Sequence, residues 1–169
     1  TTPDIITMAK ALTNGTIPMG AIACDTAIYD AIAAGKAANS VELFHGYTYS
    51  GHPVACAAAL AALDVYRDEK LFERGKRLSG KFQDLVFGLN DLNIVRDIRG
   101  YGLLVGIDLE PGEVPGDRGY DLMQRCFEAG LVLRTSGDTL VLAPALVAKE
   151  SQLEEMIAIV RQSLSSWAA

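Results

Sequence analysis

The sequence predicts an α/β chain in two parts, an α/β segment followed by a smaller α+β lobe, and three observations carry that expectation. Short runs rich in Ile, Val and Thr alternate with stripes of helical period. Half of the 169 residues are apolar, enough to bury the core of one domain or of one domain and part of another. Near residue 93 long helical patterns give way to short strand-type runs divided by Gly and Pro. The expected division is residues 1–70, a connecting helix at 71–92, and a second lobe at 93–169.

Residues 4–9 read as a short buried strand running into Lys10, and Asn14-Gly15 with Pro18 then forces a loop. A second short strand spans residues 21–24. Asp25 suits the N-cap of a helix with Ile28, Tyr29 and Ile32 on one side, which Gly35 ends. Pro53 suits the first turn of a helix through "VACAAALAALDVYRDEK", whose alanines allow close backbone approach and therefore deep packing. Leu71, Leu78, Phe82, Leu85 and Leu89 then recur at helical spacing as a core stripe.

The second lobe is expected to hold the strands "IVRDIR" and "LLVGIDLE", a Gly/Pro loop at 111–116 and a helix over 120–128. The strands "LVLR" and "TLVLAP" follow. A final helix at 149–165 carries Leu153, Met156, Ile157, Val160 and Leu164 on one face.

A net charge of −6, with no cluster of Lys and Arg, argues against nucleic acid as a partner. The longest apolar stretch, residues 54–65, falls short of the roughly 20 residues a membrane span needs. Cys24, Cys56 and Cys126 are odd in number and unpaired in spacing, which fits a reducing cytoplasm better than a disulfide framework or zinc site. The opening Thr1-Thr2-Pro3-Asp4 has no initiating methionine and no export signal, so a fragment of a longer cytoplasmic chain is expected.

Lys10 is the first candidate for chemistry. An amine flanked by Met8, Ala9, Ala11 and Leu12 is either a nucleophile kept partly neutral by an apolar setting or a snorkelling surface charge. Thr48, Ser50 and Gly51, just before Pro53, offer hydroxyl and backbone donors at a helix start, where a phosphate could bind or the hydroxyls could merely cap the helix. His45 and His52 lack a third ligand nearby, so no metal is expected. Arg134, at the end of an apolar strand and before Ser136-Gly137-Asp138, could hold a carboxylate in bidentate fashion. Asp138 is read as shaping that turn, and Arg96 and Arg99 as structural.

The stretch "PDIITMAKALTNGTIPMGA", residues 3–21, resembles the active-site lysine segment of class III pyridoxal-phosphate aminotransferases. "FHGYTYSGHPVACAAAL" and "GLVLRTSGDTLVLAPAL" resemble two further segments of that family, the first in the form of its ω-amino acid:pyruvate group. The resemblance implies a fold type I architecture: the end of the large cofactor-binding domain, then a small α+β C-terminal domain. It implies pyridoxal 5'-phosphate as cofactor, with Lys10 as the Schiff-base lysine and proton shuttle. Thr48 would contact the cofactor phosphate of the other subunit of a homodimer, and Arg134 would bind the substrate carboxylate.

The resemblance reaches only the C-terminal portion of such an enzyme. The carboxylate partner of the pyridinium nitrogen, the stacking aromatic and the main phosphate loop have no counterpart here, so the chain alone is expected to be inactive or incomplete. The implied reaction passes an amino group from a primary amine or ω-amino acid to an α-keto acid such as pyruvate. A mutase or decarboxylase of the same superfamily, or a non-catalytic interaction module derived from it, are the alternatives.

Overall fold

The computed structural model describes residues 2–35 and 47–166. The chain divides into two compact units, Thr1–Glu69 and Lys70–Ala169.

In the first unit, strand β1 (Ile5–Ala9) pairs antiparallel with strand β2 (Gly20–Cys24), from Ile5 opposite Cys24 to Ala9 opposite Gly20. Helix α1 (Thr26–Ala34) starts where the Asp25 carboxylate accepts a hydrogen bond from the Ala27 N–H at 2.8 Å, and Gly35 closes it. Helix α2 (Pro53–Asp68) has proline in its first turn, where a missing N–H costs nothing.

Burial in this unit departs from expectation. The β1 strand forms but is not buried: Ile5 is 54% exposed, and Ile22 on β2 is 64% exposed. Nor is α2 deeply packed, since only Ala55 and Ala59 are buried while Leu60, at 64% exposure, Leu63 and Val65 face outward. A two-stranded hairpin buries little unless a second layer packs on it, and no element among the unit's described residues covers these faces.

The second unit has a full core. Helix α3 (Leu71–Phe87) leads through a 3-10 turn at Gly88–Asp91 into strands β3 (Val95–Tyr101) and β4 (Leu104–Leu109). Helix α4 (Asp117–Glu128), strands β5 (Arg134–Ser136) and β6 (Thr139–Leu142), and helix α5 (Glu150–Ser165) follow. The four strands form an antiparallel sheet in the order β3-β4-β6-β5.

Strand alternation sends Ile98, Val105, Ile107, Leu109, Leu140 and Leu142 to one face. There they join Phe82 and Val86 of α3, Leu122 and Cys126 of α4, and Leu153, Val160 and Leu164 of α5. Each such side chain contributes about 1.5–3 kcal/mol on burial, so this cluster dominates the unit's stability. Helix α3 thus supplies part of the core through the stripe its spacing predicts. At Gly100 an added Cβ would sit 2.6 Å from Val105 Cγ2, so that close approach admits only glycine.

One strand differs from expectation. Residues 131–133 are not in the ladder, and Arg134 opens β5 rather than ending a strand. The Leu131 N–H bonds the Cys126 carbonyl at 2.8 Å, so this stretch is used in leaving α4. Leu131 and Leu133 still pack on the core while Val132 is 79% exposed, which explains the strand-like pattern. Among the described residues no helix is long and apolar enough to cross a membrane.

Candidate active site

Lys10 stands at the junction of β1 and a 3-10 turn, Lys10–Leu12, and is exposed. Its φ of 54° lies in the left-handed region, uncommon for a residue with a Cβ. The turn is held from several sides. The Thr13 N–H reaches the Lys10 carbonyl at 3.3 Å, and Thr13, 4% exposed, donates its hydroxyl to the Ile17 carbonyl at 2.7 Å. From α2 the Tyr66 hydroxyl lies 3.1 Å from the Ala11 carbonyl and 3.0 Å from Asn14 Oδ1. Tyr66 and Thr13 thus fix the backbone that presents Lys10. Sequence reasoning missed both, because a tyrosine late in a helix carries no local sign of a partner 52–55 residues away.

Thr48 lies exposed on a run of turns at 47–51 that leads into α2. The Ser50 N–H bonds the Tyr47 carbonyl and the His52 N–H bonds the Tyr49 carbonyl, both at 3.2 Å. His52 occupies the α2 N-cap without a side-chain cap bond, so among the described residues the first amides of this 16-residue helix have no side-chain cap. A cleft of about 560 Å³ borders this turn, lined by residues of 17–20 and by Tyr47, Tyr49, Ser50, His52 and Cys56. Among the described residues no carboxylate lines it, and Tyr47, Tyr49 and Ser50 bring hydroxyls, donors suited to a phosphate. Donors of this kind fit the phosphate of a phosphorylated aldehyde cofactor, but Thr48 is not among the cleft-lining residues. Lys10 itself is not among the cleft-lining residues, although the loop that follows it forms one wall. His45, read with His52 as a rejected metal pair, lies outside the described residues.

Arg134 belongs to the second unit. It is exposed at the start of edge strand β5 and pairs in register with Val141 of β6. Asp138 does more than shape the turn. Its carboxylate accepts from the Gly116 N–H at 2.9 Å and the Gly119 N–H at 3.1 Å, at the start of α4. Arg99 is held by two hydrogen bonds to Asp108 and one to Asp97, which leaves it in a cross-strand network. Thus Lys10 and Thr48 lie in the first unit and Arg134 in the second.

The family profile described as aminotransferase class-III matches residues 1–164. An omega-aminotransferase of Caulobacter vibrioides is 45% identical over 164 residues, covering 96% of this chain and 37% of the relative. A beta-alanine–pyruvate aminotransferase of Pseudomonas aeruginosa is 37% identical, covering 97% of this chain and 37% of the relative. A structure described as a transaminase with L-ala superposes with a TM-score of 0.92 at 28% identity, over 99% of this chain and 41% of that one. The chain thus spans about two-fifths of the length of these proteins.

Proposed function

The chain belongs to the class-III aminotransferase family, and from that premise we propose that it supplies the C-terminal part of a pyridoxal-phosphate-dependent transaminase. The proposed reaction moves an amino group from a primary amine or ω-amino acid to an α-keto acid such as pyruvate. Relatives named as an omega-aminotransferase and a beta-alanine–pyruvate aminotransferase support that choice of donor and acceptor. In this assignment residues 1–70 end the large domain, 71–92 lead out of it, and 93–169 form the small C-terminal domain.

Lys10 carries the proposal. A lysine held in a left-handed conformation by a pinned turn is a strained arrangement of the kind that concentrates at functional sites. The Lys10 amine would hold the cofactor aldehyde carbon and, once displaced by the amine donor, move the proton at the donor carbon. When bound, the cofactor supplies the electron sink for that proton's bonding pair. In a homodimer, Thr48 would donate its hydroxyl to the cofactor phosphate of the other subunit. Arg134 would orient the acceptor by its carboxylate, since a planar guanidinium matches that group with two parallel bonds.

The test is to incubate the full-length protein carrying this chain with pyridoxal phosphate, reduce with borohydride and locate the adduct by peptide mass spectrometry. Selective modification of Lys10, lost in Lys10→Ala, is expected. Modification of Lys10 no greater than that of Lys70, Lys76, Lys81 and Lys149 would overturn the assignment.

A further inference from the structure

We propose that Asp138 is the positioning residue for Arg134: by seating the β5–β6 turn on the first turn of α4, it sets where the guanidinium stands and so makes the acceptor site selective for carboxylates. The inference rests on Arg134 being the carboxylate-binding side chain of the proposed transaminase.

The geometry is a clamp. Gly116, at the α4 N-cap, has a φ of 89° and no side chain to cap the helix with. Its N–H and that of Gly119 are instead satisfied from a loop about twenty residues away, by the two oxygens of the Asp138 carboxylate. The turn rests directly on the helix, because a Cβ on Gly119 would collide with the Gly137 carbonyl oxygen. From the other side the Leu109 N–H of β4 bonds the Asp138 carbonyl at 3.0 Å.

Arg134 is three residues from Gly137 on a strand only three residues long, paired on one side to β6 alone. Leu133 packs on the core before Arg134 and the Thr135 hydroxyl reaches the Met123 sulfur after it, so the clamped turn fixes the remaining, C-terminal end of this short edge strand. Asp138 therefore acts on Arg134 through the backbone.

Kinetics of the full-length holoenzyme test this with pyruvate and with an aldehyde acceptor lacking a carboxylate, in Asp138→Ala, Asp138→Asn and Arg134→Gln. A displaced guanidinium should raise the KM for pyruvate about tenfold in Asp138→Ala, with kcat within about twofold and the aldehyde reaction hardly changed. Asp138→Asn keeps one acceptor oxygen and should restore most of the loss. Amide exchange at Gly116 and Gly119 should quicken in Asp138→Ala.

Equal losses with both acceptors, an unchanged pyruvate KM, or unchanged exchange would each overturn the clamp. If Arg134→Gln itself leaves the pyruvate KM unaltered, the carboxylate role of Arg134 falls, and the clamp proposal with it.

Discussion

Arg99 and Arg134 stand in one cross-strand row at opposite edges of the four-stranded sheet, with Gly106 and Val141 between them. Three strand spacings put their backbone positions about 14 Å apart. Among the described residues, Arg99 is the one of the two with matched carboxylates: Asp108 lies directly across from Asp97, and Arg99 bridges the two like charges. Its guanidinium lies close over Gly106, and the Thr139 hydroxyl donates to Asp108 at 2.6 Å.

Arg99→Ala should therefore lower the thermal midpoint by exposing Asp97 and Asp108 to one another, and Asp97→Asn added to it should recover part of the loss. The pyruvate KM should stay within about twofold, because Arg99 is engaged by Asp97 and Asp108 rather than by Arg134. Thermal melts and steady-state kinetics on the same variants check both halves.

Tyr66→Phe removes the hydroxyl that ties α2 to the Lys10 turn at Ala11 and Asn14. The expected cost is about 1 kcal/mol of stability, the ordinary net value of such a bond. A larger effect is expected on chemistry at Lys10, because the left-handed residue loses a constraint. Borohydride trapping at Lys10 should become slower and less selective in Tyr66→Phe, with overall helicity by circular dichroism unchanged.

Periodicity named the elements better than their surroundings. The Leu78-Phe82-Leu89 stripe and the Leu153-Ile157-Val160-Leu164 stripe are core faces, since their partners lie in the same unit. The same kind of pattern in β1 and α2 reads as interior, yet Ile5, Leu60 and Leu63 are exposed. Apolar spacing states that a face needs a cover, not which residues supply it. Asp25 and Pro53 were legible as helix starts because their effects act within three residues. The reach of Asp138 to Gly116 and of Tyr66 to Ala11 was not, because the sheet register and helix packing that join them leave no local trace.

Two glycines should respond in opposite directions. Gly119→Ala drives a methyl into the Gly137 carbonyl and should destabilise the second unit by about 3 kcal/mol, at the upper end for overpacking. Gly80 lies inside α3, exposed, with open space where a Cβ would go. Gly80→Ala should stabilise by about 0.5–1 kcal/mol through helix propensity. Urea unfolding of the two variants beside the parent protein gives both signs.

Asp138 also predicts the acid limb of stability. The Gly116 amide foremost holds its carboxyl below the usual carboxylate range; burial opposes it next, and the Gly119 and Arg118 amides and the Arg118 charge add to the lowering. The same direction holds for Asp108, through Arg99 and then Thr139, and for Asp91, through Arg161. With the folded value depressed, the unfolded chain binds more protons than the folded one as pH falls below about 4. The contribution is complete above the ordinary aspartate value and disappears as pH falls through the lower folded value. Asp138→Asn cannot titrate, so its stability should depend less steeply on pH in that window. At pH 7 it should lie at most about 1 kcal/mol below the parent, because asparagine still caps. The two stability curves should then converge as pH falls below about 4, which urea unfolding at a series of pH values reads directly. Parallel curves throughout would mean that the carboxylate charge of Asp138 adds nothing to the hold on α4.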